Sequence, residues 1–213
     1  MLIDVSEQAA TRGERKERTR AALLDGTLAL AADRGFAALS LREIARSAGI
    51  VPTAFYRHFT SLDELGTSLV EEGVRQLRLA LREVRRTPNA RLADSVRFVF
   101  EQVDGKRDLW GFLIRERHGG SAALRGAIAV EMQLIVRELV VDLSRIRTLD
   151  HWSPDDLEFA ADLIVATVAD RIADFVVAEP RDRPRIVDRV VLHVRLISLG
   201  MGAWDPDTVV HER

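Results

Sequence analysis

Between residues 40 and 65 the chain reads Ser-Leu-Arg-Glu-Ile-Ala-Arg-Ser-Ala-Gly-Ile-Val-Pro-Thr-Ala-Phe-Tyr-Arg-His-Phe-Thr-Ser-Leu-Asp-Glu-Leu. Side chains suited to nucleic acid are bunched there. Thr53 can donate or accept a hydrogen bond, and its methyl, like Val51 and Ala54, can pack on a thymine methyl. Pro52 suits the first turn of a helix, whose free N–H groups and dipole favour phosphate oxygens. Tyr56, Arg57 and His58 fall one turn further on, where Tyr and Arg commonly donate to the sugar-phosphate backbone. Arg42 can reach the same groove or its rim, and Ser40, at the start of that helix, joins the contact set. Taken singly, each has a plainer reading. Tyr56 could be a packed aromatic, His58 a solvated histidine, and Arg42 and Arg46 an exposed helical face. Phe55 and Phe59, four apart, read as core. Their order between two capping boxes raises them together as a DNA reader.

The elements that must position these groups are helical throughout. The pattern predicts helices over about 14–34, 40–48, 52–59, 61–86, 90–103, 109–117, 121–146, 153–177 and 185–201. Gly35 closes the first and Gly49 turns the chain between the second and third. Ser40 with Glu43, and Ser61 with Glu64, predict capping boxes. Ser121 is expected to cap the seventh helix, and Ser153-Pro154-Asp155-Asp156 to start the eighth. The fold class is all-α, with about nine helices. The expected organisation is a flexible arm over 1–13, a helix-turn-helix domain over 14–60, a ligand-binding and dimerisation domain over 61–204 and a tail over 205–213.

Composition narrows the function. The chain has 213 residues, 47% apolar and 30% charged, with a net charge of −2. Bulk charge therefore does not point to nucleic acid. A local run does. Arg12, Arg15, Lys16, Arg18 and Arg20 stand just before the reader, with Arg18 and Arg20 best placed to meet phosphates. A solvated helix start is the plainer reading of such a run. The absence of cysteine excludes disulfides and thiolate metal sites. No metal or cofactor is expected. No apolar run is long enough to span a bilayer, and the N-terminal residues lack a signal core, so a cytoplasmic protein is expected. G-x-S-x-G, H-E-x-x-H and P-loop patterns are missing, which argues against an enzyme.

Residues 15–66 resemble the DNA-binding domain of the TetR family of transcriptional regulators. The resemblance rests on Leu41-Arg42-Glu43-Ile44-Ala45, Ala48-Gly49-Ile50, Phe55-Tyr56-Arg57-His58-Phe59 and Asp63-Glu64-Leu65. Many members carry a phosphate-gripping lysine where Leu62 stands. Pro52-Thr53, Arg115-Glu116-Arg117, residues 120–123, Arg125 and Arg195-Leu196-Ile197-Ser198 are similar to the family's unsaturated-fatty-acid repressors of the FabR and DesT kind. The resemblance implies a homodimer through the last two helices on a palindromic double-stranded operator. It also implies a small-molecule pocket among helices from about 62 to 178. Phe98, Trp110, Phe112, Leu113, Met132 and Phe159 are expected to line it, a surface suited to an acyl chain. Arg115, Arg117, His118 and Arg125 could receive a thioester carbonyl or the phosphates of a long-chain acyl-CoA. They could equally form a structural ion-pair set with Glu116 and Glu131. The expected function is a repressor of fatty-acid or lipid genes; the alternative is an efflux-pump or oxygenase repressor answering to another hydrophobic molecule.

Overall fold

In a computed structural model, which describes residues 11–86 and 91–204, the chain forms nine α-helices and no strand among those residues. They are α1 (Arg12–Arg34), α2 (Leu41–Ser47), α3 (Pro52–Phe55), α4 (Leu62–Arg86), α5 (Leu92–Gly105), α6 (Arg107–Gly119), α7 (Ala122–Leu143), α8 (Pro154–Val177) and α9 (Arg183–Ala203). Helices α1 to α3 build the reader. The others build a second bundle, in which α4 packs on α7, α7 on α8 and α8 on α9.

Local chemistry sets most boundaries. The Thr11 hydroxyl accepts from the Glu14 N–H at 3.2 Å, and the Glu14 carboxylate accepts from the Thr11 N–H. That capping box starts α1 at Arg12, so residues 12 and 13, expected in the arm, are helical. Residues 1–10, the break expected at Thr87-Pro88-Asn89 and the tail over 205–213 lie outside the described residues. Gly35 ends α1 at φ 78 and Gly49 turns the chain at φ 69, both in the region glycine tolerates. Ser40 makes the reciprocal box its sequence predicts, and Ser153, expected only to start a helix, makes one with Asp156 as well. The box at Ser61 is divided. Ser61 Oγ accepts from the Glu64 N–H at 3.1 Å, but the Glu64 carboxylate turns back to the N–H and hydroxyl of Thr60.

Several expected boundaries move. The turn predicted over 104–108 shrinks to Lys106, because α5 runs on to Gly105 and α6 begins at Arg107. The loop predicted over 118–121 is also shorter, since His118 and Gly119 complete α6. Helix α7 stops at Leu143, which leaves Ile146 exposed rather than in the core stripe. Helix α9 starts at Arg183, with Pro184 in its first turn. Helix α3 is a single turn rather than two.

The core runs without a break from reader to bundle. Leu23, Ile44, Phe55 and Phe59 anchor the first; Val70, Phe100, Phe112 and Leu124 anchor the second. Each such side chain contributes about 1.5–3 kcal/mol by leaving water. Helix α6 touches both halves, and its end is held tightly. A Cβ added at Gly120 would lie 2.6 Å from the Glu116 carbonyl oxygen and 2.7 Å from its carboxylate. Gly120→Ala is therefore expected to destabilise the fold by about 1–3 kcal/mol. At Gly126, inside α7, an added Cβ meets nothing within 4 Å. Gly126→Ala should instead stabilise by up to about 1 kcal/mol through helix propensity. Urea denaturation of the two variants checks the contrast, and equal effects would show that Gly120 is not packed as described.

Candidate DNA-binding face and ligand cavity

The α2–turn–α3 unit presents one polar face and buries the other. The Ile50 N–H donates to the Ala45 carbonyl at 2.9 Å, which folds the Gly49 turn back on α2. Phe55 is fully buried and Phe59 is 2% exposed, with ring centroids 5.8 Å apart. They act as the pins that fix α3. Phe55 also meets the Tyr56 ring edge-on at 5.7 Å, so Tyr56 is braced at its base while 61% exposed. Val51, Pro52, Thr53, Arg57 and Arg42 are exposed on the same unit, and Ala54 is half-buried. Among the described residues no ion pair engages Arg42 or Arg57, so both charges are available to phosphates. The single turn of α3 changes one part of the reading. So short a helix has little dipole, and contact must rest on side chains rather than on the helix end.

Other expected contacts have structural duties. The Ser40 hydroxyl donates to the Glu43 carboxylate at 2.7 Å and accepts from the Glu43 N–H, so it is engaged by the cap. The Ser40 hydroxyl, the Ser40 N–H at 3.0 Å and Arg34 together hold the Glu43 carboxyl down at about 2. Arg20 pairs with Glu72 of α4 at 2.9 Å, and its guanidinium lies 5.2 Å over the Phe59 ring. It is a strut between α1 and α4 before it is a phosphate ligand. Arg18 is fully outward. His58 is half-buried, with Nδ1 lacking a partner. Burial, then the charges of Lys16, Arg20 and Arg57, push its pKa below the ordinary histidine value. Lys16, Arg20 and Arg57 thus place positive charge around His58, which is held toward its neutral form. Leu62, where relatives carry lysine, packs against the core.

A cavity of about 130 Å³ lies inside the second bundle. Leu77 and Leu81 of α4, Trp110 and Leu113 of α6, and Ile128 and Met132 of α7 line it, with Ser95, Arg85, Arg117 and Glu131 as its polar members. Of the ten residues expected at a ligand site, Trp110, Leu113, Arg117 and Met132 line this cavity, and the other six lie elsewhere. Phe98 is half-buried against the core of α5 outside the cavity. Phe112 is fully buried but turns to the reader, edge-on to Phe36 at 5.6 Å. Arg115 also turns there, donating to the Ala31 carbonyl at 3.0 Å. His118 and Arg125 sit in an adjoining crevice that shares Arg117, Ile128, Met132 and Val165 with the cavity. Arg125 additionally donates to the Gly120 carbonyl. Phe159 is 66% exposed on the outside of α8. It stands two residues from the buried Leu157, roughly 200° around the helix.

The ion-pair set weighed for the arginines does not form as expected. Glu116 is buried; burial raises its pKa, opposed by the Phe36 backbone and by Arg115. Glu131 has Arg78, not Arg117 or Arg125, as its nearest cation, at 3.6 Å. Among the described residues no group of three or more His, Cys, Asp or Glu is placed to hold a metal ion. No helix of the described residues is long and apolar enough to cross a membrane.

Comparison with known proteins follows this division. The family described as "Bacterial regulatory proteins, tetR family" matches residues 23–66, and "Tetracyclin repressor-like, C-terminal domain" matches residues 88–198. The second match alone spans more than half the chain. The chain belongs to the TetR family. Solved structures share the fold. A TetR-family regulator from Syntrophomonas wolfei is 18% identical, with a TM-score of 0.75, covering 87% of this chain and 97% of that one. A transcriptional regulator from Pseudomonas aeruginosa is 22% identical, with a TM-score of 0.72 over 94% and 96%. The fatty acid degradation regulator FadR from Bacillus halodurans is 16% identical, with a TM-score of 0.70 over 92% and 97%.

TetR proteins are DNA-binding transcriptional regulators rather than enzymes, and so is this chain. We propose that its exposed face separates base reading from backbone grip. Arg57→Ala is expected to weaken binding to every operator variant alike and to lower the salt slope by about 1. Thr53→Ala should instead change which variants bind, by about 1–3 kcal/mol at the base pair it touches. Fluorescence anisotropy across an operator library at several salt concentrations checks both. A uniform loss for Thr53→Ala would remove it from base reading.

Proposed function

We propose that the protein is a dimeric operator-binding repressor of fatty-acid or lipid-metabolism genes, controlled by a long-chain acyl thioester in its second domain. The observation that carries the control reading is the double duty of α6. One side of this helix lines the cavity through Trp110, Leu113 and Arg117. The other grips the reader through Phe112 on Phe36 and Arg115 on the Ala31 carbonyl. A guest that displaces the first set must strain the second.

The dimer reading rests on the outer faces of the last two helices. Phe159 and Leu163 on α8, and Leu192, Leu196 and Leu199 on α9, are 44–70% exposed. A contiguous apolar surface of that kind marks an interface. A twofold partner would cover it and place two readers on two half-sites of one operator.

The lipid reading is supported by the apolar lining, by the resemblance of residues 115–125 and 195–198 to desaturase repressors, and by a fold shared with a fatty acid degradation regulator. The cavity volume favours a second reading as well. Sites for drug-sized molecules hold about 300–1,000 Å³. A long acyl chain must therefore part the walls, whereas a smaller apolar effector of an efflux or oxygenase repressor would need less. Anisotropy titrations of the upstream DNA with palmitoyl-CoA, oleoyl-CoA and octanoyl-CoA distinguish them. A change in operator affinity of about tenfold with the long thioesters, the usual scale of allosteric coupling, is expected. No change with any thioester would contradict the lipid reading.

A further inference from the structure

The exposed stripe on the last two helices is not apolar along its whole length. On α8 it begins with Phe159 and Leu163. A helix turns about 100° per residue, so positions eleven apart share a face to within about 20°. Asp170 and Asp174, both exposed, therefore continue the same stripe toward the end of α8. On α9 the order is reversed. Arg185 and Arg189 come first, and Leu192, Leu196 and Leu199 follow. Only residues 178–182 join the two helices, which pack together as antiparallel neighbours. Both charged segments thus lie at one end of the pair and both apolar segments at the other. The charged end is the one nearer the reader. Arg183 pairs with Asp104 at 2.7 Å, Arg107 donates to the Val176 carbonyl at 2.6 Å, and residues 105–109 border a crevice with Leu24 and Leu28 of α1.

These charges are not consumed within the chain. Asp170 and Asp174 share one guanidinium, that of Arg171, at 3.2 and 2.7 Å, which leaves negative charge over on α8. Asp188, which stands between Arg185 and Arg189 in sequence, is taken by Arg97 at 3.1 Å. Among the described residues no ion pair engages Arg185 or Arg189. Symmetry then determines what they meet. A twofold axis that sends two readers to one operator runs along the bundle toward the readers, so each level of the face meets the same level of the partner. In a four-helix bundle on such an axis, α8 lies diagonally across from the partner's α8 and side by side with the partner's α9. We propose that the chain selects a second copy of itself by charge order as well as by apolar area, with Asp170 and Asp174 facing the partner's Arg185 and the partner's Arg189. The contact occurs twice in the dimer. This rests on the dimer reading of the same two helices and adds to it a pairing and a selectivity. An apolar face without this charge order would bring like charges together, which an interface resists.

Two variants of the full-length protein test it by sedimentation equilibrium: Arg185→Glu with Arg189→Glu, and Asp170→Arg with Asp174→Arg. Each alone should dimerise roughly 100-fold more weakly, because like charges then meet at both contacts. An equal mixture of the two should recover the native affinity, since in the mixed dimer every reversed segment meets its opposite. Charges acting only within one chain would give no recovery, because each protomer keeps its own conflict. The native dimer should also loosen as salt rises. Arg185→Gln with Arg189→Gln should flatten that response, a readout that stands if a reversed variant does not fold. Reversed variants that dimerise as the native protein does, a mixture of folded variants that stays weak, or a salt response unchanged by the glutamines overturns the charge pairing and leaves the apolar dimer standing. A native protein that stays monomeric throughout overturns the dimer reading as well.

Discussion

The reader's position depends on how the end of α1 is held. Two attachments come from one short stretch of α6: the Phe112 ring against Phe36 and the Arg115 guanidinium on the Ala31 carbonyl. Ala31 is in the last turn of α1, where a cation is favoured, and its carbonyl also accepts from the Gly35 N–H at 2.9 Å. The edge-on ring contact and the directional Arg115 hydrogen bond fix one relative position of α6 and α1. The joint is therefore not a surface that slides. It holds in one arrangement, or it breaks toward another.

A second attachment runs through α4. Gly66 lets that helix approach closely, since a Cβ there would stand 3.0 Å from both Phe36 and Leu124. The Arg20–Glu72 pair and the Ser121–Asp63 hydrogen bond tie the same end of α4 to α1 and α7. Further along, Arg82 and Arg85 of α4 meet Glu138 and Asp142 of α7 at 2.6–3.2 Å. Exposed members of such a ladder contribute little each. Their effect here is register: α4 and α7 cannot shift without exchanging partners. Phe36 is touched by both routes, which makes it the point where cavity and reader meet.

How far this was legible in the sequence differs by level. The reader was legible because its signals are local. Ser40 with Glu43, Gly49 and the Phe55–Phe59 spacing act within a few residues of one another, and the structure places them accordingly. The cavity wall was not, because an apolar residue on an amphipathic helix announces burial and not what it is buried against. Phe112 and Leu113 are neighbours of similar hydrophobicity, yet one faces the reader and the other the cavity. Phe159 was decidable from phase alone, lying opposite Leu157, Ile164 and Phe175. Arg20 was not, since its partner Glu72 is 52 residues away. The same distance in sequence hid Arg78 and Glu131, which no local pattern joins.

The central claim is that a guest in the cavity moves two readers relative to each other. The chain has no cysteine, so Thr53→Cys gives a single labelling site in each protomer. The most direct measurement is the distance between spin labels at that site, by double electron–electron resonance, with and without oleoyl-CoA. The account predicts a dipolar signal from the dimer, with one state near the 34–36 Å, about one helical turn of DNA, that separates adjacent half-sites. Adding the effector should shift that distance by several ångströms. A missing dipolar signal, or a distance unchanged by saturating effector, would contradict it.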